Sequence, residues 1–259
     1  AKVVVSGAIP VALTDCLCFG NPEKPEQMWQ FAESCRAIRD CCDGLHFEKN
    51  TNLPIVAGNV SFYNQSGDNA IPSSPMIGCF GKNIDVNKSV RNSFQSEGSV
   101  VFLLGGSNFS MGGSVVADLL AIDNNDVHRF SNKQFSMLLN SLIGLESREL
   151  ILSSRVVTRG GLAVSLCKMS FQNNIGVNVH LAKEKLSERL FNENLSILLE
   201  VHDADARNVE KILEKKDIPF DIIGSTCIEK TITINDKISL SINETKNVWE
   251  HSLREKLLS

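Results

Sequence analysis

Two short apolar runs bracket one amphipathic stretch near the start of the sequence, and that arrangement restricts the fold more than any other feature. Residues 9–14 read as a strand. Pro22, Glu23, Pro25 and Glu26 then make a helix entrance, with prolines at the first turn and carboxylates at the positive end of the dipole. Met28, Phe31, Cys35, Ile38, Cys42 and Leu45 follow at three- and four-residue intervals, the spacing of one buried helix face. Residues 53–57 form the second apolar run, cut by Gly58-Asn59. Strand, helix and strand of these lengths predict a parallel crossover. The carboxyl ends of a parallel pair lie side by side, so Asp15 and Gly58-Asn59 are expected at one sheet edge, where open α/β sheets place ligands.

The rest of the chain alternates in the same way. Residues 64–75 are rich in turn formers, and 76–80 read as a strand. The stretch 85–99 is polar with few apolar anchors, so a boundary is placed there, dividing a domain of residues 1–86 from one of residues 87–259. Beyond it the pattern predicts strand 99–104, a glycine-rich turn at 105–113, helices 114–122 and 132–144, strand 150–157, helix 160–171 and strands 175–181 and 195–202. A helix capped by Asp203 is expected next, followed by strands 218–224, 228–235 and 238–243 and a terminal helix 245–258. Such alternation predicts the α/β (α+β) class, and 259 residues suit one large domain or two ordinary ones. Ala1-Lys2-Val3-Val4-Val5 reads as an interior segment, as if the chain were the rear part of a longer one.

Composition excludes several functions. With 26 Lys and Arg against 30 Asp and Glu, the formal charge of −4 gives no electrostatic footprint for nucleic acid or anionic membrane. The longest apolar run, 100–104, is far too short to span a bilayer, and no charged segment followed by an apolar one suggests a secretory leader. Cysteines stand at 16, 18, 35, 41, 42, 79, 167 and 227, with one C-x-C, no C-x-x-C, and no histidine at metal-ligand spacing from another. Buried, reduced thiols in a cytoplasmic protein are the expectation.

Three stretches carry possible chemistry. The turn Gly105-Gly106-Ser107-Asn108-Phe109-Ser110-Met111-Gly112-Gly113-Ser114 follows a strand and opens a helix, so its backbone can cradle a phosphate or simply make a tight turn. It fits neither the dinucleotide fingerprint nor the P-loop pattern. Arg155 and Arg159, ahead of Gly160-Gly161, can meet an anion or merely face solvent at a helix entrance. Asp15, Asn59 and Ser61 can serve a Mg²⁺ ion that keeps most of its waters, or the nucleotide beside it, with the Gly58 amide and Ser61 on a phosphate. Alternatively Asp15 caps a turn and Asn59 supplies a permissive turn conformation.

Longer motifs resolve into a family resemblance. Residues 12–26, Ala-Leu-Thr-Asp-Cys-Leu-Cys-Phe-Gly-Asn-Pro-Glu-Lys-Pro-Glu, with Met28-Trp29-Gln30-Phe31, closely resemble the synthetase subunit of phosphoribosylformylglycinamidine synthase. So do Pro54-Ile55-Val56-Ala57-Gly58-Asn59-Val60-Ser61-Phe62-Tyr63-Asn64 and Ala70-Ile71-Pro72-Ser73-Ser74-Pro75-Met76-Ile77-Gly78. Residues 98–113, Gly160-Gly161-Leu162-Ala163-Val164 and Leu190-Phe191-Asn192-Glu193 continue the likeness in order.

This family lies in the aminoimidazole ribonucleotide synthetase-like superfamily and is built from two tandem halves. Each half has an A domain that joins a shared barrel and an α/β sandwich B domain. The resemblance implies a partial second A domain at 1–86 and a second B domain at 87–259. It also implies an ATP- and Mg²⁺-dependent ligase acting on formylglycinamide ribonucleotide, with ammonia delivered by a glutaminase domain or subunit. By motif, Asp15 and Gly58 are implied nucleotide contacts, Asn59 a Mg²⁺ ligand and Ser61 a substrate contact. The family's catalytic histidine belongs to the N-terminal half, so the present chain alone is expected to be inactive. Self-association through unpaired sheet edges is also expected. Cys18 stands where the family usually has Asn, and Val156 and Arg159 replace two acidic residues before Gly160-Gly161. That loss favours a structural role for the second B domain, or direct binding of an anion there.

Overall fold

The first apolar run, extended by the four residues 15–18, becomes a long central strand. A computed structural model describes residues 1–47, 52–105, 110–122 and 131–258, and the mixed α/β chain divides into two units. Ala8–Val86 with Phe130–Asn140 form one unit, and Ala1–Gly7, Asn87–Arg129 and Ser141–Ser259 form the other.

In the first of these the elements are β1 (Ile9–Cys18), α1 (Pro25–Gly44), β2 (Ile55–Ser61), a short hairpin of β3 (Gln65–Ser66) and β4 (Asn69–Ala70), and β5 (Ser74–Lys82). The main sheet has the order β2-β1-β5. β1 and β2 run parallel, so the crossover expected from sequence is present. β1 does not stop at Thr14 but continues to Cys18, because β5 pairs antiparallel with it from Ile9↔Lys82 to Cys18↔Ser74. The ladder partner, not the apolar run, sets where the strand ends.

Pro25 at the first position and Glu26 in the first turn start α1 as the sequence suggests. Cys42 and Leu45 are buried, and Cys42 packs with Leu13 and Leu53, with Ile38 and Phe47 against them. Phe31 stands edge-on to Phe19 and Phe62, at 5.4 and 5.0 Å between ring centres. Met28, expected in the same stripe, is 45% exposed, since that end of the helix is covered by the aromatic trio instead.

The other unit contains β6 (Val100–Gly105), α2 (Val115–Leu119), the latter part of α3 (Asn132–Glu146), β7 (Ser153–Val156), α4 (Gly161–Ser170), β8 (Gly176–Val179), α5 (Leu186–Phe191), β9 (Ser196–Val201), α6 (Asp203–Lys215), β10 (Phe220–Cys227), β11 (Thr231–Ile234), β12 (Ile238–Ser241) and α7 (Ile242–Leu258). Its sheet has the order β12-β11-β8-β10-β6-β9-β7. Val101, Leu103, Val177, Leu198 and Ile223 from the sheet meet Leu162, Leu166 and Met169 of α4 in the core.

Every residue of β9 is buried, including Glu200. Its carboxylate accepts from the Gln95 and Ser96 amides and from Ser153 Oγ, at 2.6–3.0 Å. Those bonds oppose the burial that raises its pKa. Asp203 is not the cap of α6. His202 holds that position without a side-chain bond, and Asp203 falls in the first turn, where the helix dipole favours it. α2 is shorter than expected, held at its start by Ser114 Oγ accepting from the Ala117 amide.

Candidate functional site

Asp15, Gly58, Asn59 and Ser61 lie within paired strands rather than beyond strand ends. The register sets Asp15 beside Gly58, Cys16 beside Asn59 and Cys18 beside Ser61. Neighbours across a ladder share a face, and successive residues alternate. Asp15 and Gly58 therefore occupy the face of Leu13, which packs with Cys42 of α1. Asn59 and Ser61 occupy the opposite face. Contacts agree: the Asn59 Nδ2 is 3.6 Å from Cys16 Sγ, and Cys16 Sγ is 3.9 Å from Cys18 Sγ. The expectation of a carboxylate and a carboxamide converging from adjacent strand ends is corrected, since the pleat turns Asp15 and Asn59 to opposite sides of the sheet.

Gly58 is where the missing side chain matters. A Cβ there would stand 2.7 Å from Asp15 Oδ1 and 3.1 Å from its Cγ, so the carboxylate fills the space glycine leaves. Among the described residues nothing donates to that carboxylate, which remains available to a ligand.

Ser61 is held differently. Its Oγ and the Asn64 side chain are within 3.1–3.2 Å. Asn64 Nδ2 also donates to the Ser61 and Phe19 carbonyls. Tyr63, at a positive φ of 58°, donates its amide to the Gly20 carbonyl and its hydroxyl to Glu23 Oε1. Gln27 Oε1 accepts from the Gly20 amide, and Asn21 Oδ1 from the Glu23 amide. Asn64 and Tyr63 thus tie the loops after β1 and β2 together, while Gln27 holds the first loop to the start of α1. Sequence reasoning did not single out these three, although all fall in or beside the long motifs.

Thr14, Cys16, Cys18, Met76 and Gly78 share the face of Asn59, and none is a carboxylate. Among the described residues no three His, Cys, Asp or Glu side chains come together to hold a metal. One carboxamide fits a Mg²⁺ ion that keeps its waters and shares a phosphate, not a metal caged by this chain. Burial and the adjacent Cys16 raise the Cys18 thiol above its usual range, away from the thiolate needed for nucleophilic work. All eight cysteines are free thiols, but of them only Cys42 is buried; Cys79 on β5 is exposed and the other six are partly exposed, so the expectation of burial is corrected for those seven.

Residues 96–237 match the family model described as AIR synthase related protein, C-terminal domain, and residues 2–82 match its N-terminal domain. The chain belongs to the AIR synthase-related family. It is 34% identical over 258 residues to the phosphoribosylformylglycinamidine synthase subunit PurL of Sulfurovum sp. (strain NBC37-1), covering 99% of this chain and 34% of that protein. The chain therefore spans about a third of the length of the curated relatives it matches. Among solved structures it is similar in fold to T. maritima PurL complexed with FGAR, at a TM-score of 0.68 and 15% identity over 94% of this chain and 40% of that one. T. maritima PurL complexed with ATP gives 0.66 at 14% identity, over 93% and 38%.

In this AIR synthase-related chain the starts of α2 and α4, which follow the two glycine-rich stretches, already share an anion, and it is internal. Glu193 Oε1 accepts from the Val115 amide at the start of α2 (3.0 Å) and from the Gly160 amide before α4 (2.8 Å). A carboxylate thus takes the place a phosphate would take on those helix starts. Gly106, Ser107, Asn108 and Phe109 lie outside the described residues. Gly161 has a φ of +68°, and a Cβ on it would stand 2.5 Å from the Leu190 carbonyl oxygen, so the turn needs glycine on packing grounds. Arg159 is exposed, while Arg155 donates through Nε and Nη2 to the Asn92 carbonyl. No helix among the described residues is long and apolar enough to cross a membrane.

Proposed function

We propose that the chain is the rear part of a purine-biosynthetic ligase that forms formylglycinamidine ribonucleotide from formylglycinamide ribonucleotide, ATP and glutamine-derived ammonia. The observation that carries this reading is the 34% identity to PurL across 99% of the chain, with the motifs around Asp15 and Gly58–Ser61 intact. In that reaction the glycinamide carbonyl oxygen is activated by phosphorylation, ammonia adds at its carbon, and phosphate leaves, so the amidine forms there and the formyl group is kept. Asp15 and the Gly58 backbone contact the nucleotide from one face of the sheet. Asn59 offers one oxygen to Mg²⁺, which neutralises phosphate charge when bound. Ser61, oriented by Asn64, contacts the ribonucleotide substrate.

Catalysis needs further charge neutralisation that this chain does not supply, so an N-terminal half and a glutaminase complete the enzyme in the cytoplasm. Exposed Val56, Val60, Met76, Ile77 and Phe80 on the edge strands β2 and β5 support a partner sheet there. Val156 and Arg159, with Glu193 occupying the adjacent turn, favour a second reading, in which this half is non-catalytic and holds a structural nucleotide.

The two readings separate in the enzyme completed by its first half. Asn59→Ala is expected to raise the Mg²⁺ and ATP requirement about tenfold, a loss of ~1.4 kcal/mol. Unchanged steady-state kinetics would sink the catalytic reading. Calorimetric titration of the chain with Mg·ADP, showing tight binding without turnover, would favour the structural one.

A further inference from the structure

A second site lies within the seven-stranded unit, apart from the sheet that carries Asp15, Gly58, Asn59 and Ser61, and Arg155 and Val156 are among its walls. A cleft of ≈ 480 Å³ opens between the turn at Val4–Ser6, the segment 90–92, β7 and α4. Lys2, Arg91, Arg155 and Lys168 all line it, and no carboxylate does. None of these four cations has an acidic partner among the described residues. The chain as a whole carries more acid than base, so a pocket with four bases and no acid is a local concentration of charge, not a sample of the composition.

The cations are organised. Arg155 is fixed by its two bonds to the Asn92 carbonyl, at 2.9 and 3.1 Å, which leaves Nη1 without a partner among the described residues. Lys168 Nζ rests over the Trp249 ring, 4.2 Å from its centre. Burial, then Arg155 and Lys2, depress the Lys168 pKa, so the cleft already strains against its own positive charge. Thr158 and Asn92 add side-chain donors at the wall, and Val5, Val90 and Val156 make the rest of it apolar. Bases that repel one another in a partly desolvated pocket are relieved by an anion, and the geometry suits a dianion reached from several sides. A bare phosphate does not use this volume, which falls within the roughly 300–1,000 Å³ of small-molecule sites.

We propose that this cleft binds a phosphate monoester of a small organic molecule, its phosphate on Arg91, Arg155 and Lys168 and its organic part against the three valines. This site is independent of the Asp15–Ser61 reading. The test uses the chain with Trp29→Phe, which leaves Trp249 as its single tryptophan, titrated with phenyl phosphate, inorganic phosphate and phenol by calorimetry and indole emission. Phenyl phosphate is expected to bind, to shift Trp249 emission as Lys168 is drawn from the ring, and to weaken with added salt. It should bind more tightly than either control, and Arg91→Gln with Lys168→Gln should weaken it at least tenfold.

Should that double variant melt early, Lys2→Gln serves instead, with a several-fold loss expected, because the exposed Lys2 side chain holds nothing in place. Binding unaffected by these substitutions, or no better than phenol, would overturn the proposal. Inorganic phosphate binding as tightly as the ester would overturn the assignment to an organic phosphate.

Discussion

Gly58→Ala separates the fold of the three-stranded sheet from its chemistry. The added Cβ stands 2.7 Å from Asp15 Oδ1, against the 3.4 Å of ordinary contact, and what it meets is the free end of a flexible side chain. Gly58 is not among the glycines with positive φ, so alanine adopts its backbone without strain. Turning the Asp15 carboxylate off its rotamer costs about 0.5–1.5 kcal/mol. Replacing a strand glycine by alanine returns roughly 0.5–1 kcal/mol of backbone entropy. Stability in urea is therefore expected to change by less than about 1 kcal/mol. Nucleotide binding is another matter, because a hydrogen bond to a charged group is worth about 1.5–3 kcal/mol. A displaced carboxylate should raise the KM for ATP of the completed enzyme by roughly ten- to a hundredfold. Asp15→Ala should do the same, and the double variant should be no worse than either single one, since both remove one interaction. An ATP requirement equal to the parent's in Gly58→Ala, or losses that add in the double variant, would refute the reasoning.

Glu193→Ala leaves the Val115 and Gly160 amides without their acceptor, and a loss of about 2–4 kcal/mol is expected in chemical denaturation. Glu193→Gln, which keeps an acceptor oxygen, should lose less. Burial raises the Glu146 carboxyl to about 8, and its Oε1 finds no partner among the described residues. A raised carboxyl pKa means that stability is full below the unfolded value of 4.5 and falls as pH rises to about 8. Glu146→Gln should therefore match the parent near pH 4.5 and exceed it at pH 8 by on the order of 2–4 kcal/mol, read from urea midpoints. Light scattering should show the chain self-associating through β2 and β5, and Val56→Lys with Phe80→Lys should shift it toward monomer; a parent that is monomeric at high concentration contradicts this.

What could be read from the sequence followed the range of the interactions responsible. The crossover β1–α1–β2 was legible because Ile38, Cys42 and Leu45 repeat at helical spacing and Pro25 and Glu26 mark the start, all of it local information. The end of β1 was not, because Cys18 is held in the strand by Ser61 and Ser74, both more than forty residues away in the chain. The same cause misdirected the site. With β1 ending at Thr14, Asp15 and Asn59 appear to sit together beyond two strand ends. Once β5 extends the ladder through Cys18, Asp15 pairs with Gly58, and the pleat sends Asn59 to the other face. Residue identities were recoverable from motif, but which of them share a ligand depended on the parity of a ladder. The turn at Gly160-Gly161 shows the complementary limit. Its glycines advertise an anion site, yet the anion is Glu193, supplied from after α5, a helix of six residues too short to announce itself by periodicity. Of the four bases around the β7 cleft only Arg155 stood out in the sequence, for Lys2, Arg91 and Lys168 come from distant positions and join it only when the sheet is formed. A local pattern thus fixes a conformation well, while the charge balance of a site, which decides what it binds, is set by residues that folding brings from far apart.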